Sequence, residues 1–256
     1  MNIAKLTYIC ISVMLVALII PGLGFAEINL KDMAGLWLFE EGSGKVVKDS
    51  SGNKNNGEFD KGPKWAKGKF GGGLEFDGTP NFVTVPHKDI FNFEDGDFTM
   101  GCWMDAKKDD AYVVIKRNGG GFWAMSATID RPTGLFIFEG GGNHIDDGKT
   151  KILNTGWHHC VALRKKGEIS LYVDGKLETK RNVPANMDNP AFIRFGGWGS
   201  ENHVGGLDEV FISKKGVVLT EDDINNLYKN GWEKALSVAP GGKASMTWGA
   251  IKTQVK

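Results

Sequence analysis

From residue 35 to residue 213 the chain alternates apolar and polar positions in short runs, each closed by a cluster of Gly, Asn or Asp. A period of two puts the apolar members of a run on one side of an extended strand and the polar members on the other. Eleven runs read this way: 35–41 (GLWLFEE), 73–78 (GLEFDG), 82–86 (FVTVP), 98–106 (FTMGCWMDA), 111–117 (AYVVIKR), 121–128 (GFWAMSAT), 134–140 (GLFIFEG), 157–165 (WHHCVALRK), 168–176 (EISLYVDGK), 191–197 (AFIRFGG) and 205–213 (GGLDEVFIS). Strands at this spacing, with turn signals between them and no βαβ rhythm, predict an all-β antiparallel sandwich or barrel. One helix is predicted: Thr220 caps it, Glu221, Asp222 and Asp223 place negative charge in its first turn, Ile224, Leu227 and Tyr228 form its apolar stripe, and Gly231 ends it. Its expected place is across one end of the sandwich. Trp37, Trp103, Trp123 and Trp157 fall inside strand patterns and are expected in the core.

Composition sharpens this picture. The 36 glycines among 256 residues are about twice the usual share of about 7%, an excess that belongs to turns. With 31 basic and 31 acidic residues the formal net charge is zero, so no polyanion and no nucleic acid is implied as a partner. Residues 1–26 carry one charge, Lys5, then the apolar run LTYICISVMLVALII and the small-residue stretch PGLGFA, the order of a cleaved secretory signal peptide. The uncharged span from Leu6 to Ala26 approaches the roughly 20 residues of a membrane anchor, but Pro21, Gly22 and Gly24 break it near its end. The expected product is secreted or held at the cell surface, with membrane contact only through an uncleaved segment. Residues 234–256 contain Pro-Gly-Gly and no sheet pattern, and are expected to form a flexible C-terminal tail.

The stretch WHHCVALRKKGEISLYVDGK, residues 157–176, invites a metal or nucleophile reading. Neighbours on a strand point to opposite faces, so His158 and His159 do not chelate one ion together, and no CxxC or HxxxH spacing supplies further ligands beside Cys160. The stretch is better read as a hairpin, with KKGE as its turn, Lys165 and Lys166 at the solvated tip, and Asp-Gly favouring the next tight turn. Two cysteines in an exported protein could pair, but Cys102 and Cys160 sit inside apolar patterns and are expected as unpaired core residues.

The order of GLWLFEEGSGKVVKDSSGNKNNGEF, GKFGGGLEFDGTPNFVTVP, FTMGCWM, WHHCVALRKKGEISLYVDGK and GGLDEVFISKKGVVLTEDDINNLYKNG resembles the laminin-G-like jelly roll of the concanavalin A-like lectin/glucanase superfamily, over residues 29–233. The resemblance implies a two-sheet antiparallel jelly-roll sandwich with one short C-terminal helix. It also implies a structural calcium ion between the loop after the first strand and the last strand, where Asp49, Asn53, Asn56 and Asp208 stand. Hard oxygen donors suit calcium; the alternative is an Asx-rich turn in which Asp49 bonds nearby amides. In GGLDEVFIS, simple alternation puts Leu207, Glu209 and Phe211 on one face and Asp208, Val210 and Ile212 on the other, so one of the two carboxylates is paired, wet or bound to an ion.

The superfamily includes glucanases, yet the chain has no Glu-x-Asp-x-x-Glu run; Glu75 and Asp77 share a face but Thr79 occupies the third position. It has no Gly-x-Ser-x-Gly and no phosphate-binding loop. The expected function is therefore non-catalytic recognition of a glycan or an extracellular protein, with an adhesive surface scaffold lacking a sugar site as the alternative. Candidate rim residues are Trp198, Glu201, Asn202 and His203 in GGWGSENH, and Asn143, His144, Asp146 and Asp147 in GGGNHIDDG.

Overall fold

The computed structural model describes residues 28–59, 61–118, 121–128 and 133–237. The expected signal peptide and all but the first few residues of the expected tail lie outside them. Among the described residues no helix is long and apolar enough to cross a membrane.

Two sheets form a sandwich. The first, of eight strands, runs in the order Lys176–Asn182, Glu168–Val173, Trp157–Lys165, Phe98–Ala106, Val204–Ser213, Gly72–Asp77 and Lys64–Lys67, with Met33–Trp37 also paired to Val204–Ser213. The second, of ten strands, runs Asn143–Ile145, Phe136–Gly140, Phe122–Ala127, Ala111–Arg117, Ile193–Phe195, Val83–Val85, Gly57–Glu58 and Val46–Val47. The small hairpin Gly197–Trp198 with Glu201–Asn202 joins it through a single parallel bridge between Asn202 and Tyr112. All other pairings are antiparallel, as the short alternating runs predict. The inner faces meet in one core in which Trp37 packs edge-on against Phe195 at 5.0 Å and Phe93 stacks on Phe98 at 4.6 Å. Each such side chain contributes about 1.5–3 kcal/mol by leaving water.

The turn chemistry follows the sequence. Lys166–Gly167 and Asp174–Gly175 both have two consecutive positive φ values, 52° and 79°, then 52° and 77°, the pattern of the tight turns that match strand twist. Cys160 and Cys102 stand opposite each other in register, both buried and unbonded. Burial pushes both thiols far above their ordinary range, which removes them as nucleophiles. Trp37, Trp103 and Trp123 are buried, but Trp157 is only half-buried, lying over Gly206.

Further features depart from the sequence reading, among them the short strands Val46–Val47, Gly57–Glu58, Lys64–Lys67 and Asn143–Ile145, which no predicted run covers. The helix, Glu221–Ser237, covers the outer face of the eight-stranded sheet instead of an end: Ile224, Leu227, Trp232 and Ala235 pack with Leu36, Val161, Leu163, Tyr172 and Phe211. Gly231 interrupts it with φ 69° and ψ 174°, after which the chain re-enters helix because Trp232 and Ala235 have apolar surface to bury. A Cβ at position 231 would lie 2.8 Å from Glu209 Oε1 and from the Phe70 ring. The strand Lys176–Asn182 is also unforeseen. It is an edge strand with an exposed, charged sequence, KLETKRN, so it carries no alternation to read and discourages edge-to-edge association.

Two basic side chains, Lys116 and Arg164, are built into the interior. Arg164 is fully buried and donates to the carbonyls of Gly96 (2.8 Å), Ala185 (2.7 Å) and Glu94 (2.8 Å), lying 5.0 Å over the Phe98 ring. Arg164→Met fills the volume but leaves three carbonyls unanswered, and is expected to lower stability by about 3 kcal/mol. Urea unfolding checks this, with a lower midpoint at an unchanged slope as the expected outcome.

Candidate functional site

With one outer face under the helix, the outer face of the ten-stranded sheet is the other broad surface. Cross-strand register sets its contents: His144 opposes Glu139, Glu139 opposes Ala124, Ala124 opposes Ile115, Ile115 opposes Arg194, Arg194 opposes Thr84, and Thr84 opposes Glu58. The row one position along, Ile145, Phe138, Met125, Val114, Phe195 and Val83, lies in the core, as period two requires.

At the centre of this face sits a polar network. Glu139 is buried, its Oε1 accepts from the Ser126 hydroxyl at 3.5 Å, and its Oε2 accepts from the Tyr112 hydroxyl at 3.3 Å. Arg117 donates to the Tyr112 oxygen at 3.2 Å, and His144 Nε2 lies 3.7 Å from Glu139 Oε2. Burial, and then the nearby Glu139 charge, push the Tyr112 phenol above its ordinary range, so it stays a neutral donor. Beside the network Trp198 packs on Tyr112, Ile115 and Ala124, and the Arg194 guanidinium lies over the rings of Phe82 (4.8 Å), Phe192 (4.7 Å) and Trp198 (4.8 Å).

The residues expected at the rim divide. Trp198 and His144 share this face, and Glu201 pairs with Trp198 across the hairpin. Asn143 binds turn carbonyls, 3.1 Å from Gly141 O, while Asp146 and Asp147 lie 3.9 Å and 3.2 Å from Arg181 at the sheet's end. Asn202 is buried against Tyr112, and His203 is fully buried, 3.3 Å from Gly206 O and packed on Phe76. The network residues Tyr112, Arg117, Ser126 and Glu139 and the stacked Arg194 were not singled out from sequence. Their signal was a polar or charged residue at the outward position of a strand, as Glu139 in LFIFEG and Arg194 in FIRF, which alone means only solvent exposure.

The expected calcium ligands do not converge. Asp49 Oδ1 accepts from Leu36 N (3.0 Å) and Ser51 N (2.9 Å), and Oδ2 from Asn55 N (2.9 Å); Asn56 Oδ1 accepts from Asp49 N (2.9 Å), and Asn53 donates to the Met33 carbonyl (2.7 Å). The loop is an Asx net that pins the first strand, and Asp208 is not among its partners. Among the described residues no group of three or more His, Cys, Asp or Glu side chains is arranged to hold a metal ion.

Asp208 belongs to a different feature. The strand Val204–Ser213 bulges between Asp208 and Phe211, with Glu209 at φ 47°. The extra residue breaks the simple alternation: Leu207, Val210 and Ile212 face the core and Phe211 faces the helix. Asp208 accepts from Phe70 N (2.9 Å) and Glu209 N (2.7 Å), while Glu209 Oε1 accepts from Trp232 N (2.9 Å) and its buried Oε2 has no partner. Burial raises the Asp208 carboxyl to about 7. Burial and the adjacent Asp208 charge raise Glu209 to about 8. At the foot of the helix-covered sheet, Thr155 Oγ1, His158 and Asp174 form a chain of 2.9 Å and 2.8 Å contacts. The threonine hydroxyl also lies 3.1 Å from the Lys151 carbonyl, which takes its proton, so the chain braces a loop.

The comparisons agree with this architecture. The family model of the concanavalin A-like lectin/glucanases superfamily matches residues 77–225, and the chain belongs to that family. No curated protein matches the sequence. Among solved structures, the binding domain of Paraclostridial Mosquitocidal Protein 1 is 19% identical with a TM-score of 0.64, covering 78% of this chain and 52% of its own. Domain 4 of AbnA, a GH43 extracellular arabinanase from Geobacillus stearothermophilus in complex with arabinotriose, is 16% identical with a TM-score of 0.63, covering 77% and 98%. The botulinum neurotoxin serotype D binding domain is 16% identical with a TM-score of 0.61, covering 80% and 52%. The chain thus spans about half the length of the toxin binding domains and nearly all of the arabinanase domain. At these identities the likeness is one of fold.

The bulge makes stability depend on pH. Unfolded, Asp208 and Glu209 lose their protons near 3.8 and 4.5; folded, near 7 and 8, so the folded state holds more protons and stability falls as pH rises between those values. Below 6.5 the buried His159 and His203, depressed by burial to about 3 and about 4, oppose this, because the unfolded chain then takes up protons that the folded one refuses. The melting temperature is expected to fall between about pH 6.5 and about pH 8 and to flatten in Asp208→Asn and Glu209→Gln, which keep the acceptors; calorimetry across that range checks it.

Proposed function

We propose that the chain is a secreted or surface-held, non-catalytic recognition module that binds carbohydrate, free or on an extracellular protein, across the outer face of its ten-stranded sheet. The observation that carries this reading is the Tyr112–Glu139–Ser126–Arg117–His144 network beside Trp198 on the outer side of the ten-stranded sheet, where Tyr112, Ser126 and Glu139 are buried and hold the solvent-reaching Arg117, His144 and Trp198 in place. Fixed donors and acceptors beside an aromatic surface are the elements with which a pocket orients a polyhydroxylated ligand. The arabinanase domain, a structure bound to arabinotriose with nearly its whole length matched, supports a saccharide as ligand. The export assignment rests on residues 1–26.

The carboxylates support binding without catalysis. Glycoside hydrolysis needs two acids flanking one bond, one of them held protonated. Glu75 is ion-paired to Lys107 at 3.3 Å, and Asp77 is held below its ordinary range by the Thr79 hydroxyl and amide. The acids that do hold protons, Asp208 and Glu209, are buried at the bulge.

Calcium is no part of this reading: the oxygens of Asp208, like those of Asp49, already accept backbone amides. For ligand binding, a glycan array should return specific saccharides, and Trp198→Ala should weaken the best of them about ten-fold or more with the melting temperature preserved. An array blank for the wild-type chain overturns the proposed function.

A further inference from the structure

Four of the five arginines are described, and three of them are answered: Arg117 by the Tyr112 hydroxyl, Arg164 by three carbonyls, and Arg181 by Asp147 and the His144 carbonyl. Arg194 is not. Among the described residues no carboxylate or carbonyl meets its guanidinium, and its Nε is buried without a partner. Three aromatic rings, Phe82, Phe192 and Trp198, hold the group at 4.7–4.8 Å. Ring contacts attract the cation through its face and use none of its five N–H donors. Burial lowers its pKa and no acid acts to restore it, yet a guanidinium stays charged in a protein. The side chain is thus a cation fixed in orientation, with its donors unspent.

Arg194 does not itself line the open cleft of about 600 Å³ on this side of the sheet, a size within the range of small-ligand sites, but two of its neighbours do. Phe82, one ring of the cage, is also a wall of this cleft, and Thr84, another lining residue, is the cross-strand partner of Arg194. Phe59 adds an aromatic surface to the lining. A cation and aromatic surfaces therefore converge where, among the described residues, no acid answers Arg194.

We infer that this cleft receives an acidic saccharide, with Arg194 as the receptor for the sugar carboxylate and Phe82 with Phe59 as the surfaces its ring lies against. A planar guanidinium and a carboxylate match in a two-bond fork that a neutral hydroxyl cannot make. The inference rests on the proposed saccharide-binding reading and narrows it to a carboxylate-bearing ligand, either a uronate or a sialate.

Titration calorimetry with the full chain tests it, using an oligogalacturonate and sialyllactose as acidic probes, and the methyl-esterified oligogalacturonate, lactose and arabinotriose as neutral ones. One acidic probe is expected to bind about ten-fold or more tighter than its neutral counterpart, with affinity falling as salt rises; which probe it is identifies the source of the carboxylate. Arg194→Gln should erase that preference at an unchanged melting temperature, and Arg194→Lys should restore only part of it, because an ammonium lacks the fork. Equal binding of acidic and neutral probes, or a preference that survives in Arg194→Gln, overturns the inference while leaving saccharide binding intact. Failure of all five probes, together with a blank array, removes both.

Discussion

The structure depends on the central strand of the eight-stranded sheet, Val204–Ser213, being buried on both sides. It bonds to Met33–Trp37, Phe98–Ala106 and Gly72–Asp77, and nine of its ten residues are buried. One side faces the ten-stranded sheet and the other the helix, so neither can relax toward water. A strand so enclosed has nowhere to send a carboxylate, and it carries two in succession. The bulge at Glu209 turns the strand by one residue, restores the apolar register beyond it and leaves Asp208 and Glu209 to backbone amides from the Phe70 turn and the second helical segment. Proton retention at neutral pH is the electrostatic consequence of that enclosure.

The same enclosure assigns the other face its role. The helix covers one sheet; on the outer side of the other, the outward positions collect Tyr112 and Glu139, which are buried, with Arg117, His144, Arg194 and Trp198, which reach solvent. The polar network fixes hydrogen-bonding groups and the aromatic cage fixes a cation, both on strands whose backbones are held by the core beneath. Recognition on such a face needs little reorganisation, which is the physical advantage of placing it on a sheet instead of a loop.

The loop that resembled a metal site illustrates the reverse case. Asp49, Asn53 and Asn56 have the side chains of a cation cage, but three backbone amides reach the Asp49 carboxylate first and Asn53 turns its nitrogen toward the first strand. Residue type alone does not separate a ligand from a turn-former, because both uses draw on the same oxygen atoms.

The local pattern of the sequence by itself determined that the chain is an antiparallel sandwich or barrel, where its tight turns fall, that Cys102 and Cys160 are interior, and that the capped segment at Thr220 is helical. These are local properties, set by steric alternation and by the few residues that tolerate positive φ. Tertiary structure alone decided which sheet the helix covers, where the last strand bulges, why the charged Lys176–Asn182 edge is a strand, and which distant side chains share the open face. Glu139, Tyr112 and Arg194 come from three strands far apart in sequence. Their juxtaposition is a product of sheet order and register, which alternation constrains strand by strand but does not assign between strands.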